Sequence, residues 1–549
     1  MFFACAGPVC ANGCAMSGAV NPGMNNPRTT ATRLALNSIC SLSINVTTAL
    51  VSVFLTPFIL SRMGDQRYGV WAVMGSVYAY SGVLSLGLYS AINRHIPVHV
   101  ARGQDEKIRE VASTTTAFFL AMGVLVLILT CLCGNQVLAI FVIPNSLLGP
   151  ARLALYTVGV VACLCLSLNS FASVLSGYQR YDLMALGRLI AIGLRVMLVL
   201  VFLGRSEALV CMALIFGVTE VLTGISNLCF AWRLMPDHPL QVAAVRWPVL
   251  REMFGYGVNT FIYAVGAIAV AKTGEVIVGT SLPPQHITYY TLALMPPMML
   301  SGFVESLVAS IKPAVADLDA RNDLRRIREL TLLSQKYVLL FMVPALAFFV
   351  ILGDSFYRIW LHREVHQAVA LLYVLVPGYL VHAAQFPLFL VLAGRGEHRI
   401  FGMLTLAMGF GAAVLGLLFC RGLGWGTTGV ALGATVAMIV VTGVVLPIHA
   451  AKQLGLALSD FARRSWIPAA YGVSPSIVVL VFWMRWQPPA SLWELCLGTA
   501  LTAAVSMLGA WFLSMERPER DRFAGMAFGP LQSLTPAALS ERITRLRHL

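Results

Sequence analysis

The sequence predicts an all-α polytopic membrane protein of about 14 transmembrane helices, arranged as two six-helix lobes in pseudo-twofold repeat with two extra C-terminal helices. Three observations carry that expectation. The 549 residues are 58% apolar and only 11% charged, less than half the charge ordinary for a soluble domain, and the mean hydropathy is +0.79. Runs of about 20 apolar residues recur, the length a helix needs to cross a hydrocarbon core about 30 Å thick. The pattern also repeats itself at an offset of 217 to 221 residues.

Taken in order, the apolar runs bounded by charge, Gly or Pro fall at 37–60, 69–92, 111–133, 153–176, 183–204, 208–232, 254–279, 287–311, 331–352, 368–393, 400–420, 427–449, 466–484 and 491–514. With the N-terminus in the cytosol, the even-numbered loops and both tails hold the large majority of the 38 Lys and Arg. That asymmetry places both termini on the cytoplasmic side. It also accounts for the net charge of +14 by orientation, so no nucleic-acid partner is implied. Residues 1–36 read as a disordered leader and 515–549 as a basic cytoplasmic tail. Cys5, Cys10 and Cys14 lack a fourth ligand at a zinc-like interval, so neither a metal nor any other cofactor is expected. Cys131, Cys133, Cys163, Cys165, Cys211 and Cys229 lie inside apolar runs and read as packing residues.

The repeat divides the chain into an N-lobe at 37–233, a C-lobe at 254–450 and the added helices at 466–514. Pro97 and then GQDEKIRE follow the second span, as Pro313 and then ARNDLRRIRE follow the eighth, so that Ile108-Arg109-Glu110 aligns with Ile327-Arg328-Glu329. Gly177-Tyr-Gln-Arg180 corresponds to Gly394-Arg-Gly-Glu-His-Arg399, and Gly204 to Gly424. Six helices per half make both halves enter the membrane in the same direction, related by an axis along its normal, with a space between them suited to alternating access.

Residues 63–111 resemble polysaccharide transporters of the Wzx (O-antigen flippase) type, in the multidrug, oligosaccharidyl-lipid and polysaccharide exporter superfamily. The resemblance rests on Gly64 followed by Tyr68-Gly69, on Leu84-Ser-Leu-Gly-Leu-Tyr89 with the basic Arg94 after it, and on the ARGQDEK loop. Gly177-Tyr-Gln-Arg180, Tyr289-Tyr290 and Leu352-Gly353 through Trp360-Leu361 extend it over residues 35–450. It implies a flippase in a bacterial inner membrane that moves a polyprenyl pyrophosphate-linked oligosaccharide from the cytoplasmic to the outer leaflet. Membrane lipids and polysaccharide assembly proteins are the implied partners. The two extra helices are shared with the branch that moves the peptidoglycan precursor.

A pyrophosphate and a sugar chain cannot cross hydrocarbon unaided, which directs attention to intramembrane charge. Arg188 and Arg195 lie seven residues apart on one face of the fifth span, and a guanidinium suits phosphate through its planar fork of donors. Glu220 falls at the depth of Arg195 on the antiparallel sixth span. Arg195 therefore either braces the lobe through Glu220 or faces the substrate, and a paired Arg195 still has donors to offer. Lys272 and Glu275 are three apart and suited to neutralise each other, while Glu275 and Glu305 are candidates for Na⁺ or H⁺ coupling. His382 titrates near neutrality in its ordinary state, which makes it a third candidate. Asn45, Asn259 and Tyr263 offer hydrogen bonds to sugar hydroxyls or simply pack helices, and Arg94 either meets the pyrophosphate or marks the cytosolic edge.

Two other classes compete with a sugar-lipid carrier. A membrane polymerase or ligase acting on the same lipid-linked sugars needs a sizeable outer loop, and the longest expected is about 19 residues, Gly134 to Arg152. An ion-driven multidrug exporter would share the fold but favour acidic and aromatic linings over paired arginines. No P-loop, GxSxG elbow or HExxH pair occurs, so the chain is expected not to be an enzyme.

Overall fold

A computed structural model describes residues 27–204, 207–235, 240 and 244–521; Cys5, Cys10, Cys14 and most of the basic tail lie outside them. A chain in lipid must satisfy its backbone N–H and C=O groups internally, and helices do this within one segment. Among the described residues there is no strand, and thirteen continuous helices are long and apolar enough to cross a membrane.

The first of them, Pro27–Ser81, breaks at Gly64, where φ is 71° and ψ 169°, a conformation open to glycine because it has no Cβ. Its two arms, α1 (27–63) and α2 (65–81), bring the spans to the expected fourteen. A 3₁₀ turn at Gly82–Ser85 links α2 to an extension, Leu88–Ala101. Then follow α3 (Asp105–Ile140), α4 (Asn145–Gly177), α5 (Tyr181–Phe202) and α6 (Ala208–Leu234). The second half begins with α7 (Trp247–Ser281) and α8 (Pro284–Val308), the latter extended by Ile311–Ala320. After α9 (Leu324–Ile351) and a short helix at Gly353–Leu361 comes α10 (His366–Ala384), which continues as Phe386–Gly394. Finally α11 (His398–Leu417), α12 (Gly426–Met438, running on to Leu454), α13 (Ile467–Trp486) and α14 (Leu492–Gly509) complete the array.

Two boundaries differ from expectation. The first helix already begins at Pro27, ahead of the expected start at 37. The 19-residue loop expected after the third span shrinks to residues 141–144, because α3 and α4 run on as regular helix beyond the apolar core of each span.

The duplication is visible in the backbone itself. Left-handed residues recur at Gly103 and Asn322 and again at Gln179 and Gly396, offsets of 219 and 217. The packing beside them recurs too: a Cβ on Gly177 would strike Ile96 in the α2 extension, and one on Gly394 would strike Val315 in the α8 extension.

The chain forms two compact units, one of the described residues up to Thr331 with Tyr357–Leu456, the other of Leu332–Phe356 with the described residues from Ala457 onward. In the smaller unit α9 packs with α13 and α14. Gly509 and Gly472 bring the backbones of α14 and α13 together, the small-residue contact that substitutes for hydrophobic drive between helices in lipid. Ser465 Oγ donates to the Leu332 carbonyl at 2.7 Å, and the buried Lys336 ammonium meets Glu519 Oε2 at 2.7 Å just beyond α14.

In the larger unit α7 and α11 approach closely, where a Cβ on Gly266 would lie 2.6 Å from the Thr405 carbonyl carbon and one on Gly409 would lie 2.9 Å from the Gly266 oxygen. Gly266→Leu should therefore overpack this seam by about 1–3 kcal/mol. A thermal melt of the purified protein should show a lowered Tm, and an unchanged Tm would mean that the two backbones do not meet.

Candidate functional site

Four helices, α1, α2, α7 and α8, change character along their length. The end of the larger unit that carries the turns after α1, α3, α5, α7 and α11 is here the odd end, and the opposite end the even end. Toward the odd end α2 is buried over 68–71 and 73–76, α8 over 290–297, and α1 at Ser52, Leu55, Thr56, Ile59 and Leu60. Toward the even end every residue at 43–49, 77–84, 260–265 and 298–303 is partly exposed. None between 260 and 282 of α7 is fully exposed, as residues facing lipid are on α3 or α5, so the partial exposure of α7 opens onto an interior space. The two halves thus close on each other at the odd end, while toward the even end these helices are only partly buried, although the halves still meet there where Asn45 bonds Ser306 and where Gly87 lies against Gly257.

The closure is polar. On α2 the residues Gly69, Ser76 and Tyr80 follow at seven and four, one stripe of a helix, and Gly87 stands beyond the 3₁₀ turn at the start of the α2 extension. A Cβ on Gly69 would overlap the Pro284 carbonyl, and one on Gly87 the Gly257 carbonyl. Ser76 Oγ donates to Glu275 Oε2 at 2.7 Å, and Tyr80 Oη meets Thr273 Oγ1 at 2.7 Å. At the rim Asp65, next to the Gly64 break, accepts from both Arg363 Nη2 at 2.5 Å and Tyr289 Oη at 3.1 Å, while its carbonyl accepts from Thr288 Oγ1 at 2.6 Å. Trp360 Nε1 donates to the Val53 carbonyl at 2.7 Å beside this clasp.

Lys272 and Glu275 form the ion pair that their spacing suggested, at 2.8 Å and buried. In the N-terminal half Leu186, Ile190, Met197 and Leu200 make the exposed stripe of α5, and Arg195 lies on the opposite face among Ala185, Ile192 and Val199. The guanidinium therefore points into the half and not at lipid. Its Nη2 donates to Glu220 Oε1 at 2.6 Å, and Nε and Nη2 both reach Thr219 Oγ1, at 3.0 and 2.8 Å. It lies 5.5 Å from the centroid of Phe216, whose ring is flanked edge-on by Trp71 and Tyr78. Arg188 Nη1 donates to the same Glu220 Oε1 at 2.9 Å and keeps a partly exposed side chain. One carboxylate thus holds two guanidinium groups, leaving a net charge of +1 on this cluster.

The remaining candidates are scattered. Asn45 Nδ2 donates to Ser306 Oγ at 2.9 Å and so ties α1 to α8, with the exposed Glu305 next along the chain. Among the described residues Glu305 has neither a hydrogen bond nor an ion pair. Tyr263 stacks on Phe401 of α11 at 4.6 Å. His382 lies in the last turn of the first part of α10, just before the break at Gln385, and its Nδ1 is buried without a hydrogen-bond partner. Arg94 is exposed on the α2 extension, and the side chain of Asn259 lies outside the described residues. Asp65, Ser76, Arg363 and Lys336 carried no sequence signal: the Asp65 and Arg363 partnership spans 298 residues and crosses between the halves.

Comparison with known proteins gives this arrangement a family. EpsK of Bacillus subtilis (strain 168), an uncharacterized membrane protein, is 22% identical over 432 residues, covering 76% of this chain and 83% of its own. The inward-facing conformation of a multidrug resistance MATE transporter of the MOP superfamily superposes with a TM-score of 0.66 at 14% identity, over 77% of this chain and 99% of its own. The lipid II flippase MurJ in an inward closed conformation gives 0.65 at 13% identity, over 87% and 98%. Both show the shared fold. Residues 59–370, more than half of the chain, match the family model of the polysaccharide biosynthesis proteins, and the chain belongs to that family.

Proposed function

We propose that the chain is a flippase that carries a polyprenyl pyrophosphate-linked oligosaccharide from the cytoplasmic to the outer leaflet of the bacterial inner membrane by alternating access. The even end and both termini then face the cytosol. One observation carries the reading: α1, α2, α7 and α8 are closely buried toward the odd end and partly exposed toward the even end, in a chain of the polysaccharide biosynthesis family. A head group entering between the halves stays wet while its apolar chain remains in the bilayer. Release on the other side requires the polar closure at the odd end to part as the even end shuts.

The α5 arginines divide the work on this reading. Arg195 is the brace, spent on Thr219 and Glu220 and covered by Phe216, while Arg188 spends one N–H on Glu220 and presents the rest of its fork to an anion. Of the acids, Glu220 and Glu275 are already matched by cations on the protein, which leaves Glu305 for H⁺ or Na⁺ coupling. Membrane lipids and polysaccharide assembly proteins complete the set of partners.

Deleting the gene should trap lipid-linked oligosaccharide in the cytoplasmic leaflet, measured by its protection from an enzyme or label added outside. Normal surface polysaccharide in a deletion strain with no redundant carrier would refute the flippase. Arg195→Ala should cost about 3–5 kcal/mol by leaving a buried carboxylate short of a partner, and should lower both abundance and Tm. Arg188→Ala should instead spare abundance and cut export, and a strain showing the reverse would exchange their roles. Asp65→Arg and Arg363→Asp should each weaken the odd-end closure, seen as faster labelling of a cysteine placed at Thr273 from outside. The double exchange should restore the wild-type labelling rate, and failure to restore it would mean that the pair does not hold the closure.

A further inference from the structure

The C-terminal half carries a connected set of aromatic rings at the depth where α7 is partly exposed over 260–265. Tyr263 of α7 stacks on Phe401 of α11 with centroids 4.6 Å apart and planes 21° apart. Phe401 meets Phe389 edge-on at 4.9 Å, and Phe389 in turn meets His382 at 6.2 Å and Phe386 at 6.5 Å. Five rings from three helices thus form one surface, with Phe389 buried beneath it and the other four partly exposed.

That exposure is not to lipid. On α11 the exposed stripe is Met403, Phe410, Val414 and Leu417, and Phe401 stands about 200° around the helix from Met403 at 100° per residue. On α7, where Tyr263 lies, no residue from 260 to 282 is fully exposed. The rings therefore border the interior space. At their edge the buried Nδ1 of His382 has no hydrogen-bond partner, a polar atom left for a ligand to satisfy.

We infer that this surface is a binding platform for the pyranose rings of the cargo, an inference that rests on the flippase reading and adds the part of the substrate it recognises. A pyranose presents an apolar face of C–H groups carrying slight positive charge, which suits the negative face of an aromatic ring, and an equatorial rim of hydroxyls. Tyr263 and Phe401 supply the flat face, His382 Nδ1 and the Tyr263 hydroxyl supply the polar edge, and Phe386 and Phe389 hold the rings in place. The close approach of α7 to α11, which begins at Gly266 one turn from Tyr263 and continues to Gly409 two turns from Phe401, fixes the distance between the stacked pair. The cationic cluster at Arg188 sits in the other half. The two halves therefore divide the head group by chemistry, the pyrophosphate to the N-terminal half and the sugars to the C-terminal half.

The test uses the full chain, purified in detergent, and the oligosaccharide freed by mild acid from the lipid-linked pool of the same strain, radiolabelled and offered in equilibrium dialysis. This probe has lost its pyrophosphate and lipid, so it reports on the platform alone. Wild type and Tyr263→Phe should bind, the latter with the ring kept. Tyr263→Leu and Phe401→Leu, which keep apolar volume but lose the flat face, should each bind roughly three- to tenfold more weakly. Their Tm and abundance should stay near wild type, and Phe401→Trp should recover binding. No binding to wild type, or equal binding by both leucine variants, would overturn the platform. If those variants also export polysaccharide normally in a strain whose deletion abolishes it, the platform falls while the flippase stands; if the deletion strain exports normally, the flippase falls as well.

Discussion

One face of α2 carries the contact between the two halves, and the chemistry of that face decides what separating them costs. Its neutral members, Ser76 and Tyr80, give up hydrogen bonds when the halves part, and each such bond is worth about 1 kcal/mol net. The charged member across the seam, Glu275, brings its own counter-ion: Lys272 lies three residues away on the same helix and moves with it. Separation therefore exposes a paired carboxylate and never a bare one, avoiding a penalty of several kcal/mol per ion in a medium of low dielectric. The ion pair of Asp65 with Arg363, divided between the halves, lies at the rim, where both side chains already meet solvent and water can replace the lost partner.

The glycines of this face act in the same direction. At Gly69 of α2 and at Gly87, where its extension begins, the backbone lies directly on the backbone of the second half, with no side chain between to interlock. A contact of that kind slides and parts more readily than ridges set into grooves, while the buried stretches of α2 and α8 beside it remain close-packed. The cluster on α5 and α6 has the opposite character. Two guanidinium groups share one carboxylate within a single half, enclosed by Phe216, so it holds that half together as a body and moves with it.

Much of this was readable in the residues alone, and the limit has a physical form. Spans were legible because lipid demands a fixed length of apolar helix, and the repeat was legible because the turns at 103 and 322 and at 179 and 396 use the same unusual backbone. The Arg195 and Glu220 pair could be placed because a short turn between antiparallel helices sets equal depth, and Lys272 with Glu275 because three residues make almost one turn. Asp65 with Arg363 could not, since both stand among loop charges that read as orienting the chain, and their meeting depends on how two halves are set together. The ring set fails for a related reason: Tyr263 stood out only for its hydroxyl and Phe401 is an ordinary apolar residue of another span, until the glycines between them show how near those spans come.

The pairing of Lys336 with Glu519 sets where the polypeptide can be cut short. The ammonium is buried on α9, its partner stands past the last helix, and the Ser514 carbonyl lies 3.3 Å away as a weaker acceptor. A chain that stops at residue 515 leaves that buried cation without the Glu519 carboxylate and with the neutral Ser514 carbonyl in its place. The few polar residues after α14 are thus a structural plug, as necessary to the smaller unit as the helices it closes.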